Sequence, residues 1–538
     1  VNALALLEPL LAALPLVLMA TAALLACLFR EPLPRLWSLV RSISALATVA
    51  ALVALGLALL VSPRVVIPGL LASLTGAWIA LLVQALGTVI LSFSSRYLDG
   101  EPGQAGYLAA LCGVLSAVHA LVLADDWSGL IVAWAGVGIA LQFLLCFYRD
   151  RPFAALAAHK KFLADRLADG LLIVAACCSY REVGSGSISA LFRDASTHAT
   201  HLNAQLCALA FVLAVAIRTA MPPVHGWLIQ VMEAPTPVSA LLHAGVVNLG
   251  GYLLIRFAPL LEAVPLARAI LVAIGLVGAL LGSLVMLTRI SIKVRLAWST
   301  LAQMGFMLLE CGVGLYQLAA LHLIGHSLYK AYAFLCSGES VRNARLRDLR
   351  GVWQPAAWSI LVAPVLAGGV MFAVNELCSL VVDQTWPWWW SAALALAWAP
   401  VLWVRTDAGG PLVAVQRLAV GGGLLSLLSL LAFVGHLVPL GAIMQPHAYA
   451  GQVALVALVL LYLGTAMLQV PAWRARFASL RRQSYAGFYL DEAFTRLTLR
   501  FWPVRLPVAR RSDAAMPMSI ATRGKLQASF TSRAGFES

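Results

Sequence analysis

Apolar blocks long enough to cross a bilayer recur along almost the whole chain. They fall near 6–29, 42–62, 72–94, 106–124, 128–148, 165–180, 204–221, 238–258, 264–287, 296–314, 317–338, 356–377, 387–404, 412–438 and 450–470. A helical span needs about 20 apolar residues, so the pattern reads as about 14–15 spans. In lipid every backbone N–H and C=O must be satisfied within the chain, which long continuous apolar runs achieve as helices. Of the 538 residues, 62% are hydrophobic and 11% are charged, whereas soluble domains carry about 25% charged residues. These values exclude a soluble enzyme and a disordered tail protein. The expected fold is an all-α, polytopic transmembrane helical bundle.

The net charge of +14 would suggest nucleic acid on a soluble domain, but in a membrane protein the positive-inside rule accounts for it. Connections after odd-numbered blocks carry Arg30, Arg35 and Arg41, then Arg149, Arg151, Lys160 and Lys161, then Arg289, Lys293 and Arg295, then Arg342, Arg345, Arg347 and Arg350. Connections after even-numbered blocks are poor in Lys and Arg, with Arg64, Arg181 and Arg193 the main exceptions. This alternation predicts an external N-terminus, a cytoplasmic C-terminus and an odd number of spans. No secretory signal stands apart from the first span. The nine cysteines show no C-x-x-C spacing and read as packed free thiols, not as a disulfide frame or a zinc site. There is no Gly-rich phosphate loop, redox cysteine pair or nucleophile triad, so no catalysis is expected in this chain. The glycines at 421–423 lie in a span and read as a close helix-packing patch.

The chain divides into N-terminal spans (1–95), a core (96–377), C-terminal spans (378–470) and a basic tail (471–538). The tail mixes Arg474, Arg476, Arg481, Arg482, Arg496 and Arg500 with Phe477, Tyr485, Phe488, Tyr489, Phe494, Leu497 and Phe501. It reads as an interfacial or partner-docking amphipathic segment, with Pro503 and Pro507 stopping any long helix. About two dozen terminal residues are Ser-, Ala- and Arg-rich and are expected to be disordered.

Ionisable residues inside spans are costly in hydrocarbon and are functional candidates by default. In the segment 217–248 a helix should reach Arg218, break at Pro222–Pro223 and resume around Thr236–Pro237, with His243 one to two turns further on. Broken spans free backbone groups for hydration or ion binding. In the segment 318–340, His322, His326 and Lys330 fall at i, i+4 and i+8, drifting by only about 40° per step, so they line one helix face about 6 Å apart in rise. That geometry suits a proton relay. A metal site from His-x-x-x-His is opposed by the lysine one turn on. Arg166 and Asp169 can pair at i, i+3, either as part of a path or as a local salt bridge. Lys293 and Arg295 stand at a span end, where snorkelling also explains them. Arg218 can likewise snorkel, and His243 can be a satisfied core histidine. Glu310 is a weaker candidate in the same span as Lys293.

The motifs PTPVSALLHA (235–244), SIKVRLAWSTLAQMGFM (291–307) and HLIGHSLYKAYAFLCSGES (322–340) resemble the proton-conducting membrane subunits of respiratory complex I and of the Mrp sodium/proton antiporters. The similarity runs from about Arg96–Tyr97 to Glu376, roughly half the chain. It implies an antiporter-like bundle with broken helices and a proton-conducting core. In that superfamily a lysine before the broken seventh span carries the proton, and a fifth-span glutamate tunes it. Histidines and lysines of later spans pass the proton on. Carried over, His243, His322, His326 and Lys330 match the relay, and Arg166 with Asp169 matches a sixth-span pair. Three positions depart. The fifth-span W-E-G-V-G pattern reads Trp134-Ala135-Gly136-Val137-Gly138, the central lysine is Arg218, and the twelfth-span lysine is Val374, although Glu376 survives. An arginine is effectively never deprotonated. These departures and the short basic tail look more like the membrane subunits of DAB-type inorganic-carbon pumps. That resemblance implies a partner, the large DabA protein, with a zinc site like that of β-type carbonic anhydrases. It implies that cation flow, of protons, through this subunit drives hydration of CO2 to bicarbonate in the partner. No cofactor is then expected in this chain; the zinc belongs to the partner. Two other assignments stay open: a proton-pumping subunit of a complex I- or hydrogenase-type assembly, and an Mrp-type antiporter subunit.

Overall fold

The computed structural model describes residues 3–28, 34–60, 64–148, 150–195, 201–339, 355–380, 386–406, 410–470 and 475–504. Arg30, Arg149, Arg342, Arg345, Arg347, Arg350, Arg474, Pro507 and the terminal Ser/Ala/Arg-rich stretch lie outside the described residues.

The chain opens with α1 (Ala3–Leu28) and α2 (Pro34–Ala58). A short antiparallel hairpin, β1 (Arg64–Ile67) and β2 (Leu70–Ala72), leads into α3 (Leu74–Tyr97). Next come α4 (Gln104–Leu123), α5 (Trp127–Leu145) and α6 (Pro152–Val183). Local chemistry sets the boundaries. Asp126 caps α5 by accepting from Ser128 N at 2.9 Å and Gly129 N at 3.2 Å, which satisfies donors a helix start leaves unpaired. Pro152 opens α6, and Gly184 closes it with a left-handed φ of 70°, the conformation only glycine adopts without strain.

After α7 (Ile188–Asp194), helix α8 (Leu202–Arg218) ends where the sequence predicts. The double proline makes continuation impossible. Two short helices follow, α9 (Gly226–Gln230) and α10 (Thr236–Leu241), then a π-turn over Leu242–Val246 that holds His243, then α11 (Leu249–Arg256) and α12 (Ala258–Ala263). The remaining spans are α13 (Pro265–Met286), α14 (Ile292–Gly312), α15 (Tyr316–Leu335), α16 (Ala357–Ser379), α17 (Trp388–Trp398), α18 (Pro411–His436) and α19 (Ala448–Gln469). The tail forms α20 (Ala478–Tyr485) and α21 (Leu490–Phe501).

Among the described residues, ten helices, the run from α10 through α11 counting as one, are long and apolar enough to cross a membrane. That is fewer than the sequence expectation of about fifteen, and the reason is local. Helices α8 and α17 are short, and α6, α14 and α15 carry the charged residues that lower their hydropathy. With these five, the helices occupy every apolar block read from the sequence.

One hydrophobic core joins α1 through α15, and a second, built on Trp386, Trp389, Trp390 and Trp403, holds α16–α19 against α13–α15. Helices α13 and α14 touch backbone to backbone. A Cβ on Gly275 would stand 2.7 Å from Gly305 O, and one on Gly282 would stand 2.5 Å from Ala302 N. Small residues of this kind let membrane helices approach closely. The glycine patch expected at 421–423 is narrower than read: Gly421 packs on Leu402, whereas Gly422 and Gly423 face open space.

Candidate functional site

The first buried charge cluster is built by α5, α6 and α8. Lys161, Asp165 and Asp169 recur at i, i+4 and i+8 and so share a face of α6, and all three are buried. Lys161 pairs with Asp165 and donates to Gly138 O at 3.3 Å. Arg218, the last residue of α8, pairs with Asp169 through Nη2 and stands 3.6 Å from Asp165. Its Nη1 donates to Trp134 O at 2.8 Å, and the guanidinium lies 4.9 Å from the Trp134 ring centroid. Arg166 adds a second cation to Asp169 at 2.7 Å. Three cations thus face two carboxylates; Lys161 and Arg218 are buried, whereas Arg166 approaches from the exposed side.

Position 135 is alanine, so α5 contributes no acid to this cluster. The carboxylates come from α6 instead. Room for them is made by Gly138, where a Cβ would stand 2.6 Å from Asp165 Oδ2. Arg218 is not snorkelling; it is buried and tied to two carboxylates and a carbonyl.

The second cluster lies between the broken helix and α14–α15. Lys330 is 1% exposed. Its ammonium donates to Leu296 O at 2.9 Å and to Ser299 Oγ. His326 is buried one turn before it, and His322, one further turn back, donates from Nδ1 to Glu310 Oε2 at 2.8 Å. The His322 and His326 ring centroids are 6.1 Å apart. His243, in the π-turn, stacks on Phe334 at 4.6 Å. Neither ring nitrogen of His243 or of His326 has a hydrogen-bond partner. Asn248 donates to Ser327 Oγ at 2.7 Å, beside these rings, and its own Oδ1 is unpartnered. Buried polar atoms left without protein partners are costly, and water is the usual occupant. His322 and Glu310 reach the wall of a cavity of about 820 Å³ bounded by Phe306, Trp386, Trp390 and Tyr462.

The structure therefore brings Arg166, Asp169 and Arg218 together, and it brings His243, His322, His326 and Lys330 together. Lys293 stands at the edge of the second group, donating to Thr236 Oγ1 at 2.8 Å where α10 begins. Glu376 is exposed on the outer side of α16 and belongs to neither group. Sequence reading missed Lys161 and Asp165 as site residues, although their i, i+4, i+8 spacing with Asp169 repeats that of His322, His326 and Lys330. Among the described residues, no group of three or more His, Cys, Asp or Glu is placed to hold a metal ion.

Residues 124–378, which contain both clusters, match the transmembrane family of NADH:quinone oxidoreductases and Mrp antiporters. Over 450 residues the chain is 38% identical to a probable inorganic carbon transporter subunit DabB of Hydrogenovibrio crunogenus, covering 81% of this chain and 86% of that one. The chain belongs to the DabB family of inorganic carbon transporter subunits. A DabB2 subunit of Halothiobacillus neapolitanus is 38% identical over 81% of each chain. The wider superfamily also shows: NADH-quinone oxidoreductase subunit L of Mycobacterium tuberculosis is 35% identical over 48% of this chain and 41% of its own length.

The fold is shared with solved complexes. A chain of the Mrp complex from Dietzia sp. superposes with a TM-score of 0.55 at 22% identity, over 98% of this chain and 59% of that one. A chain of an archaeal membrane-bound sulfane sulfur reductase gives 0.56 at 17%, over 91% and 99%. The protein is thus a multi-pass membrane member of a family whose relatives work as subunits of larger assemblies.

Proposed function

We propose that this chain is the ion-conducting subunit of an energy-coupled inorganic-carbon transporter, and that the ion is the proton. The observation that carries the reading is the pair of buried one-face ladders, Lys161–Asp165–Asp169 with Arg218 and His322–His326–Lys330 with His243. Lys330 and the unpartnered histidines of the second ladder can exchange protons with water held between them. Arginine side chains are effectively always protonated, so the Arg218 position supplies a fixed positive charge to its neighbours Asp165 and Asp169. The proton is then handled by the lysines, carboxylates and histidines around it.

The partner is a DabA-like zinc protein, in which downhill ion flow drives directional hydration of CO2 to bicarbonate. The subunit sits in the cell inner membrane with its N-terminus outside and its C-terminus in the cytoplasm, as the Lys/Arg alternation supports. The test is an affinity pull-down of the tagged protein from native membranes in mild detergent, with mass spectrometry and zinc analysis. A single large zinc-containing partner is the expected result. Quinone-reductase, hydrogenase or small antiporter subunits in its place would overturn the reading.

A further inference from the structure

The tail helix α21 does not simply lie on the surface. Asp491, in its first turn, reaches into the bundle and pairs with Lys160, Nζ to Oδ1 2.5 Å, a lysine whose side chain is 1% exposed. The other carboxylate oxygen accepts from Gln230 Nε2 at 3.0 Å, and Lys160 also donates to Thr495 Oγ1, one turn along α21, at 2.7 Å. His159, the residue before Lys160, hydrogen-bonds Trp502 O at 3.0 Å at the far end of the same helix. Helix α20 is fastened too: Ser484 Oγ donates to Leu284 O at 2.8 Å, and Arg289 lies over Tyr485.

The seat for the carboxylate is cut by a glycine. A Cβ at Gly226 would overlap both the Asp491 carboxylate and Lys160 Nζ. Gly226 lies between His225, whose buried ring nitrogens have no partner, and Trp227, whose ring faces Lys161 Nζ at 5.9 Å. The short helix after the proline break therefore lies against the Lys160–Asp491 pair at Gly226 and presents the Trp227 ring to Lys161. Lys160 and Lys161 are adjacent in α6 but point about 100° apart, so the tail carboxylate sits beside the first charge ladder, with Gly226 and Trp227 reaching toward the two lysines.

We propose that Asp491 is a positioning residue of the conducting core: the tail helix supplies, from the far end of the chain, the carboxylate that neutralises buried Lys160 next to the α6 ladder. The inference rests on the ion-conducting reading above. A buried ammonium is costly unless paired. Without Asp491, Lys160 would lose its charge or turn toward solvent, and the field on Lys161 and Asp165 would change. Undocking of the tail would have the same consequence, so a partner that captured α21 would alter conduction without touching a span.

The test uses the purified complex in proteoliposomes with an imposed proton gradient and a pH-sensitive dye inside. Asp491→Asn, Asp491→Glu and Gly226→Ala are compared with wild type, each checked for yield and for retention of its partners. The expected result is at least a tenfold loss of proton flux in Asp491→Asn and Gly226→Ala, recovery to within about threefold in Asp491→Glu, and normal assembly in all. A charge-reversed pair, Lys160→Asp with Asp491→Lys, should assemble and remain defective in flux, because the sign beside Lys161 is inverted. Asp491→Asn conducting like wild type would overturn the proposal. So would a loss in Asp491→Asn that Asp491→Glu fails to restore, or one that tracks loss of protein or partners. Wild-type flux at background would instead overturn the conducting reading, and this inference with it.

Discussion

Arg218 ends α8 with its guanidinium tied to Asp169 of α6, while its other arm holds the carbonyl of Trp134 on α5. One side chain thus fastens three spans at the point where the next span is broken. The position that the wider superfamily resemblance marks for a mobile proton is here an arginine, and the acids that face it, Asp165 and Asp169, both stand on α6.

Arg218→Ala would leave Asp165 and Asp169 facing each other with less positive charge between them. Breaking a buried pair from one side costs about 3–5 kcal/mol. The expected outcome is a marked fall in thermal stability of the detergent-solubilised complex and loss of coupled carbon uptake. Arg218→Lys keeps the charge but lacks the fork needed to reach Asp169, Asp165 and Trp134 O together, so an intermediate stability is expected. Unchanged uptake in Arg218→Ala would refute the fixed-charge role.

Gly138→Ala tests the space given to Asp165. A Cβ there stands 2.6 Å from Asp165 Oδ2, so the carboxylate must move away from Lys161. A weakened charged hydrogen bond is worth about 1.5–3 kcal/mol, and proton flux is expected to fall by about tenfold or more. Flux measured in proteoliposomes at wild-type level would show that the Lys161–Asp165 pair is not part of the path.

Lys330→Met removes the ammonium while keeping an unbranched side chain of similar length in a buried slot. Normal accumulation with abolished proton flux is expected. Ser299→Ala removes one of two acceptors on the same ammonium, leaving Leu296 O, and should cost about 1 kcal/mol of stability with partial flux retained. A conducting Lys330→Met protein would remove the second ladder from the mechanism.

His322 and Glu310 form a pair at the cavity wall. In a double-mutant cycle with His322→Ala and Glu310→Gln, thermal unfolding should give a coupling energy of about 0.5–3 kcal/mol. Additive effects would mean that the contact contributes nothing as a pair.

Much of this arrangement was legible in the sequence because lipid leaves few choices. Long apolar runs set the helices, and the double proline placed the end of α8 at Arg218; the restart read at Thr236 is the second one, because the short helix α9 (Gly226–Gln230) intervenes. The His322–His326–Lys330 face followed from helical spacing alone. Lys161 and Asp165 were hidden by position: Lys161 reads as one of a basic group flanking a span, and only the length of α6, which runs from Pro152, carries it into the interior. Helix α21 shows another limit. Its composition marks it as amphipathic, but the polar partners that seat it, Lys160 and Gln230, lie more than 260 residues away along the chain. Glu376 matched a motif by letter, whereas its outward direction on α16 is a property of packing.

The contact between α13 and α14 has a mechanical consequence. Where side chains interlock, helices can slide by exchanging one rotamer set for another. Along this seam main chain rests on main chain, with Gly305 lodged among the backbone atoms of Gly275, Gly278 and Ala279, so there is nothing soft to yield. Packed this closely, the two helices form one continuous wall of the aromatic cavity. Under the proposed conduction, passage at Lys330 and His322 then falls to rotating side chains and rearranging water beside that wall, because sliding at this line would drive backbone atoms into one another.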